Sequence, residues 1–518
     1  MPGSLKNRAL KRLQFFLDYT VGIGYLKKFA SPHSSHKGGS VKLWFRGDLT
    51  THMKPLRHFV FNKYLIFFFL LFFIFFPVNN GAAAPHLAGG QFRTTIKDTL
   101  NALWTGRAFD PELVQRQRTV KNALDKGLLS GDDLKRLITE ATPDLVNRFE
   151  TSRYILEEIP DRFNVLFSPY LDWNTAKEKI IWGTIASLLG NKDPFILKLA
   201  TLAPEGTPWL DVPQTILVPR IIKLTKGALK PKFYTGGVMG EDSDVLRKMD
   251  IGQMDGCGCT TLGVVTASPD ASIFMVPNLF NNYEEIDFIC RTFRKRLDQS
   301  FEKRGYICGA IIDTGFLYVF SKNKMSGLED LRKQKALTSL GRIESALLDE
   351  LNVDAIPVAV PEVVSALSTG LADTFIAPPA WALGMQAYQY VNYYIQKPFY
   401  YSPGVVLLST NTRQKIRDHF DLSEPLVFNT QELIVLEIKS IEPEWKKRGR
   451  IYEAKSLNAF ESRCGIKPVR LSAKDQACFE KAAENVREKL AGSAYSADLL
   501  DDVVKALKQY RKMAGENR

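Results

Sequence analysis

Histidine is scarce in this sequence of 518 residues, and its scarcity excludes several kinds of chemistry. The six histidines are His33, His36, His52, His58, His86 and His419. A metal centre with several imidazole ligands, or a Ser-His-Asp triad, needs histidine close to its partner residues, and no motif in the sequence provides this. We therefore predict a protein that is not an enzyme and that has no metal site and no bound cofactor.

Long apolar runs are also rare, and the run that stands out spans Tyr64–Phe76. A helix of this length covers about 20 Å, which is short of the ~30 Å hydrocarbon core of a membrane. Basic residues lie between Met53 and the run, and the small residues Gly81–Ala84 follow it. This order is typical of a secretory signal peptide. We predict a signal peptide over 53–83 and a periplasmic protein.

The start of the chain has two interpretations. In the first, translation begins at Met53, and residues 1–52 result from a mis-called start, so that 1–83 is a leader. In the second, Met1 is the true start, and the apolar run, extended back to Phe59, acts as an uncleaved membrane anchor.

Acidic residues are nearly absent from the leader, so most of the positive net charge of the sequence lies there. Residues 1–83 contain twelve Lys and Arg against two Asp, so the leader accounts for most of the formal net charge of +13. The exported part is close to neutral. Its charge therefore gives no reason to expect a nucleic-acid partner.

Cysteine is sparse, and all six cysteines lie at position 257 or later. An even number of cysteines in an oxidising compartment permits disulfides. Cys464 and Cys478 flank a short loop between predicted helices, and we predict them as the best pair. Cys257-Gly-Cys259 has the form of a redox or metal motif. The simpler interpretation is that these are small residues packed at the end of a strand.

Three regions follow the leader. Residues 91–193 have helical apolar spacing and no chemical motif, which predicts a small all-α module for packing or for contact with a partner protein. From Phe195, short strands alternate with helices, as in a parallel α/β sheet. The tail is helical again. Asn429–Glu432 reads as a capping box that begins a helix, and Pro443 should kink or split that helix.

Four stretches resemble one family, the solute-binding proteins of tripartite ATP-independent periplasmic (TRAP) transporters of the dicarboxylate-binding type. They are Leu199–Trp209, Phe233–Glu241 with the helix to Asp255, Leu328–Leu331, and Pro361–Asp373. Their order and spacing match over about 195–518. Each stretch alone is weak, but four in order behind a signal peptide are fairly specific.

The resemblance implies an α/β, two-lobed periplasmic binding protein fold with hinge strands and a long helical tail, preceded here by the small all-α module. The expected domains are the module (91–193) and a solute-binding domain (195–518), with lobe 1 over about 195–313 and 403–428, lobe 2 over about 314–402, and C-terminal helices over 429–518. A solute binds in the cleft, the lobes close, and the protein delivers the solute to the TRAP membrane permease subunits.

The resemblance breaks where the family usually binds a carboxylate. Leu337 stands where the family has its selectivity arginine, which pairs bidentately with a substrate carboxylate. Ala377 stands at a usual asparagine, and Leu317 at a frequent second arginine. A shift in alignment would bring in Arg332 or Arg342, although Arg332 is more simply a charge on a helix surface.

With these three apolar residues, a ligand carboxylate buried in the cleft would have no cationic or hydrogen-bonding partner, and its burial would cost free energy. The cleft should therefore prefer a small organic solute that is not a simple dicarboxylate, and is instead uncharged, apolar or aromatic. The candidate ligand-binding residues are Glu205, Trp209, Met239, Thr260, Phe316, Leu337 and Trp381. For each of them, core packing or a solvated loop position is the competing interpretation.

Two function classes follow. The first is the solute-binding component of a TRAP uptake system. The alternative is a periplasmic ligand-sensing or scaffold protein built on the same fold, motivated by the helical region, which transport alone does not require.

Overall fold

The structure is a computed structural model that describes residues 89–107, 111–148, 152–190 and 192–516. The predicted signal peptide, with its alternative as a membrane anchor, lies outside the described residues. Within those ranges, no helix is both long enough and apolar enough to cross a membrane.

Helices alone make up the described residues before the first strand. They are α1 (Gly89–Trp104), α2 (Pro111–Asp125), α3 (Gly131–Val146), α4 (Arg153–Phe167), α5 (Trp173–Thr175) and α6 (Trp182–Leu189). A π-helical turn, Ala176–Ile181, joins α5 to α6. Side chains cap the starts of several helices. The hydroxyl of Ser130 accepts a hydrogen bond from the backbone N–H of Asp133 at the start of α3 (3.0 Å), as expected for a serine N-cap.

Strands and helices alternate from residue 195 onwards. The strands are β1 (Phe195–Thr201), β2 (Leu229–Tyr234), β3 (Gly256–Cys259), β4 (Tyr306–Ser321), β5 (Ala336–Thr338), β6 (Ala355–Pro357), β7 (Thr374–Ala377), β8 (Tyr393–Ile395), β9 (Tyr400–Ser409) and β10 (Lys467–Val469). The helices between them are α7 (Pro208–Val212), α8 (Val218–Leu224), α9 (Asp242–Asp250), α10 (Thr261–Ala267), α11 (Tyr283–Glu302), α12 (Leu328–Leu331), α13 (Arg342–Glu350), α14 (Val363–Ser368), α15 (Pro379–Gly384) and α16 (Asn411–Phe420).

The tail contains four long helices. They are α17 (Glu424–Ser440), α18 (Glu442–Ser462), α19 (Ala473–Leu490) and α20 (Ala497–Glu516). The predicted start of α17 at a capping box was wrong. The helix begins at Glu424 after Ser423, and Asn429–Glu432 lies buried in its interior. The local pattern misled because polar residues in this stretch bind other elements; Asn429, for example, donates to the carbonyl of Val146 in α3. The predicted split before Pro443 is present, at Ile441 between α17 and α18.

The strands form one mixed sheet in two halves, which we call the first and second lobes. The first lobe has the order β2-β1-β3-β9-β4, in which β1 is parallel to β2 and β3, and β9 is antiparallel to β3 and β4. The second lobe continues β4-β7-β5-β6, in which β7 is antiparallel to β4.

Two long strands connect the lobes. The first part of β4 pairs with β9, and its last residues pair with β7 and β8 instead. The β4/β9 ladder shifts register between Asp313 and Gly315, opposite Pro403 and Ser402. Such an irregularity bends a strand and raises its local twist, so β4 and β9 form the hinge strands of the fold.

The N-terminal helices share a hydrophobic core with the first lobe. A buried ion cluster also joins them. The carboxylate of Glu437 in α17 binds Lys177 beside α6 (2.7 Å), Arg220 in α8 (2.5 Å) and the indole N–H of Trp182 (3.2 Å). Burial alone would raise the pKa of Glu437, but the two cations outweigh it and lower the pKa. Residues of the helical region are therefore part of the lobe's packing.

Candidate functional site

A cleft that is partly open to solvent lies between the two lobes, and the space in it that a water-sized sphere can occupy is about 80 Å³. Its lining residues are Thr201, Leu202, Ala203, Pro204, Trp209, Gly258, Cys259, Thr260, Ile312, Thr314, Ser339, Leu340, Val360, Val363, Ile376, Ala377, Pro378, Trp381, Ser402 and Trp445. Both lobes, the hinge strands and α18 contribute to it. Many of these residues lie at the carboxyl ends of β1, β3, β5 and β7, where ligands bind in open α/β sheets.

The hinge strands provide hydroxyl groups. The Thr314 hydroxyl donates to the carbonyl oxygen of Ser402 (2.8 Å), and the Thr261 hydroxyl donates to the carbonyl oxygen of Pro403 (3.1 Å). The Ser402 hydroxyl contacts both threonine hydroxyls. Thr314 and Ser402 line the cleft, so their hydroxyl groups can act as donors or acceptors to a ligand.

Three tryptophans line the cleft, one each from the first lobe, the second lobe and the tail. Trp209 follows β1, and its indole N–H donates to the carbonyl oxygen of Asp313 at the hinge (2.9 Å). The ring of Trp381 packs edge-on against Phe375, with centroids 6.3 Å apart. Trp445 in α18 is 4% exposed, and its indole N–H has no hydrogen-bond partner among the described residues.

Ionised side chains are absent from this lining. None of the lining residues is Lys, Arg, His, Asp or Glu, and Cys259 is disulfide-bonded. The two arginines that a shifted alignment offered also lie elsewhere: Arg332 donates to the carbonyl oxygen of Leu351, and Arg342 donates to that of Ser493. The described part of the chain thus places no cation on the cleft wall.

The contacts across the cleft show that the lobes are close together. A Cβ at Gly237 would lie 3.2 Å from Leu202 and 3.4 Å from Pro361 of the second lobe. A Cβ at Gly384 in α15 would lie 3.0 Å from Thr207 of the first lobe. The two lobes therefore touch each other at these two positions.

Three of the seven predicted ligand-binding residues line the cleft: Trp209, Thr260 and Trp381. Thr260 is held by Asp242, whose carboxylate accepts hydrogen bonds from both its N–H (2.8 Å) and its hydroxyl (2.5 Å). Their roles in binding stay predictions.

The other four lie outside the cleft lining. Glu205 is exposed. Met239 packs against the first-lobe core, and its carbonyl accepts from Lys248 (2.6 Å). Phe316 follows the register shift of β4, and its ring contacts Tyr283 and Tyr401.

Leu337 is buried in the second-lobe core from β5, but its near neighbours Ser339 and Leu340 reach the cleft. Sequence reasoning missed those two residues, together with Trp445, Thr314 and Ser402. No local pattern marks the last three, because their position depends on how α18 and the hinge strands pack.

Cysteine pairing differs from the prediction. Cys257 and Cys259 form a disulfide, with Cα atoms 5.4 Å apart, whereas Cys464 and Cys478 are free thiols. Alternate residues of a strand point to the same face, so this spacing in β3 permits the bond. The predicted Cys464–Cys478 pair was wrong because β10 intervenes, and the two residues join different cores.

Comparison with known proteins identifies the family. Residues 199–494 match the DctP family, described as bacterial extracellular solute-binding protein, family 7. The chain belongs to this family. It is the solute-binding family of TRAP transporters, so the predicted resemblance is confirmed, and its members bind solutes rather than catalyse reactions.

Solved structures confirm the predicted two-lobed α/β fold. The sugar acid binding protein DctPAm from Advenella mimigardefordensis, in complex with galactonate, is 18% identical, with a TM-score of 0.54 over 62% of this chain and 99% of that one. A TRAP periplasmic solute-binding protein from Citrobacter koseri with bound D-glucuronate is 21% identical, with a TM-score of 0.53 over 60% and 98%. One from Desulfovibrio salexigens with bound orotic acid is 16% identical, with a TM-score of 0.54 over 62% and 99%.

A match to a curated relative covers a smaller part of this chain. The uncharacterized protein YiiZ of Salmonella typhimurium is 24% identical over 196 residues, which are 37% of this chain and 60% of YiiZ. The match therefore spans less than two thirds of that relative's length.

Proposed function

We propose that this protein captures a small organic solute in the periplasm, closes its lobes over the solute, and delivers it to the membrane permease subunits of a TRAP uptake system. The observation that carries the proposal is a cleft lined by two lobes that share two hinge strands, in a chain of this family. Lobe closure about a hinge is the general way in which such proteins enclose a ligand.

We further propose that the solute is not a simple dicarboxylate. The solved relatives hold galactonate, D-glucuronate and orotic acid, each of which carries a carboxyl group. In this chain the lining has no cationic side chain to receive one. Burying an unpaired carboxylate costs several kcal/mol, which is a large share of the binding free energy of a micromolar ligand, about −8 kcal/mol.

Native mass spectrometry of freshly purified mature protein tests the capture of a solute. We expect one small molecule to co-purify, and its removal to lower the melting temperature. Ala203→Phe, which fills the cleft, should abolish the bound mass, while Ala473→Phe, at an exposed position of α19, should retain it. No bound molecule, and no thermal shift across a broad solute screen, would contradict the proposal.

A protein partner for the helical region remains a second candidate role. Leu128 and Val165 are large apolar side chains that are 62% and 55% exposed in this region. Deleting the region would remove part of the first-lobe core, so substitution is the cleaner test. Leu128→Lys with Val165→Lys should leave ligand binding unchanged. If it also leaves every periplasmic association unchanged, these two side chains contribute nothing to partner binding.

A further inference from the structure

A buried carboxylate stands directly behind the first-lobe wall of the cleft. Asp242, at the start of α9, is 2% exposed. Its Oδ2 accepts hydrogen bonds from the Thr260 N–H, the Thr260 hydroxyl and the Gly263 N–H, and Thr260 itself lines the cleft. Burial raises the pKa of Asp242 to about 6, so the group is mostly ionised at neutral pH.

A second buried carboxylate stands behind the opposite wall. Glu344 in α13 is 1% exposed. Its Oε2 accepts from the backbone N–H groups of Ser339 (2.7 Å) and Leu340 (2.8 Å), which both line the cleft, and its Oε1 accepts from the Tyr400 hydroxyl (2.9 Å). These bonds occupy two N–H donors of the cleft wall, so they are not free to bind a ligand anion. Burial raises the pKa of Glu344, and the hydrogen bonds that it accepts act in the opposite direction.

Neither carboxylate has an ion-pair partner among the described residues, in contrast to the buried Asp313, which binds Arg450 (2.7 Å). The charged neighbour that most affects Asp242 is Glu241, which is also negative. In their ionised forms, two carboxylates in opposite walls, with no cation in the lining, would give the cleft a negative potential. That potential is poorly screened because the groups are removed from solvent.

The aromatic lining favours the same sign of charge. Trp209, Trp381 and Trp445 present indole rings, and the face of an indole attracts cations more strongly than those of the other aromatic side chains. A ligand carboxylate would be repelled by the two buried carboxylates and would have no cationic partner. An organic ammonium group would be attracted both by those carboxylates and by the indole rings. We propose that the cleft of this protein selects a small organic cation, an ammonium compound, between Asp242 and Glu344. This inference rests on the proposed solute-binding function.

Three isosteres test the choice of charge on the wild-type protein by isothermal titration calorimetry. The probes are choline, its uncharged analogue 3,3-dimethylbutan-1-ol, and the anion 3,3-dimethylbutanoate, which present nearly the same apolar head. We expect choline to bind at least tenfold more tightly than the alcohol, and the anion not to bind. Equal or tighter binding of the alcohol or of the anion would overturn the proposal.

A reporter thiol tests the potential without any ligand. Ser339→Cys, in a Cys464→Ser, Cys478→Ser background, places a thiol in the cleft, and Leu128→Cys in the same background places one on the exposed surface. We compare alkylation rates with the cationic trimethylammonium and the anionic sulfonate methanethiosulfonates. Relative to the surface thiol, the cation-to-anion rate ratio in the cleft should be at least tenfold higher, and Asp242→Asn or Glu344→Gln should reduce it.

The outcomes separate this inference from the proposed function. If no solute of any charge binds and none co-purifies, the proposed function fails, yet the reporter ratio still measures the cleft potential. If a solute co-purifies and proves to be an anion or uncharged, or if the ratio in the cleft is no higher than at the surface, the proposed function stands and the selection of cations is wrong. Two carboxylate variants are used so that the test does not depend on the folding of either one, and the wild-type isostere series needs neither.

Discussion

Closure of the lobes depends on a glycine that lies where they touch. Gly384 is the last residue of α15 in the second lobe, and a Cβ there would lie 3.0 Å from Thr207 Cγ2 and 3.4 Å from Pro204 Cβ. Thr207 has little freedom to move away, because it is fully buried and its hydroxyl donates to the carbonyl oxygen of Pro204 (2.6 Å). A side chain at position 384 therefore has to displace the second lobe from the first.

Gly384→Leu should consequently shift the protein toward an open arrangement and weaken ligand binding. Overpacking of a close contact costs about 1–3 kcal/mol. If opening relieves that strain, the closed, binding-competent state loses this free energy relative to the open one, and the apparent affinity falls roughly 5- to 150-fold. The unfolding free energy of the ligand-free protein should change little, because opening relieves the strain without unfolding either lobe.

Native mass spectrometry measures the occupancy of the co-purified solute, and small-angle X-ray scattering measures lobe opening. Gly183→Leu is the matched control, since Gly183 is also helical, in α6, but has no atom within 4 Å of a Cβ position. We expect the control to keep full occupancy and a compact scattering profile. If Gly384→Leu retains wild-type occupancy and the same radius of gyration, then contact between α15 and the first lobe does not govern closure.

The remaining predictions concern the hinge, the core and the thiols. Glu437→Gln should cost about 3–5 kcal/mol in urea unfolding, because it leaves two cations without their buried partner; a cost below 1 kcal/mol would contradict this. Burial raises the pKa of Glu453 to about 7, above its unfolded value, so the folded state binds more protons. The unfolding free energy should then fall as pH rises from about 4.5 to 7, and Glu453→Gln should flatten that slope. Under denaturing, non-reducing conditions the protein should show four thiols, and six after reduction, with peptide mapping assigning the bond to Cys257 and Cys259. Trp445→Phe, which shortens a ring of the cleft wall and removes a buried, unpartnered N–H, should weaken ligand binding without lowering the stability of the ligand-free protein.

The sequence supports the family and fold because both depend on regular patterns. Alternating strands and helices, together with the four family-like stretches, mark the carboxyl ends of strands, and those ends form much of the cleft. Thr260 follows β3 directly, and Trp209 lies in α7, the next element after β1, so their place in the chain already puts them near the cleft. Local sequence is sufficient for such residues.

Local sequence is insufficient where a shift of one position along a strand reverses the face to which a side chain points. Leu337 lies in β5, and its side chain faces the second-lobe core; the chain reaches the cleft only after the strand ends, at Ser339 and Leu340. Phe316 comes after the irregular pairing near Gly315, and its ring turns to the core aromatic residues. An irregularity of this kind changes the face of the sheet to which each later side chain points. The local residue pattern does not predict it.

The tail helix α18 connects the ligand cleft to the hinge. Trp445 lines the cleft, and one to two turns further along the same helix Arg450 binds the Asp313 carboxylate (2.7 Å), just before the register shift. Another turn on, Glu453 accepts from the backbone N–H of Phe316 (3.2 Å), just after it. The carbonyl oxygen of Asp313 also accepts from the indole of Trp209 in the cleft (2.9 Å). Because one helix contacts both the cleft and the two sides of the hinge irregularity, we expect a ligand that displaces Trp445 to act on the hinge residues through α18.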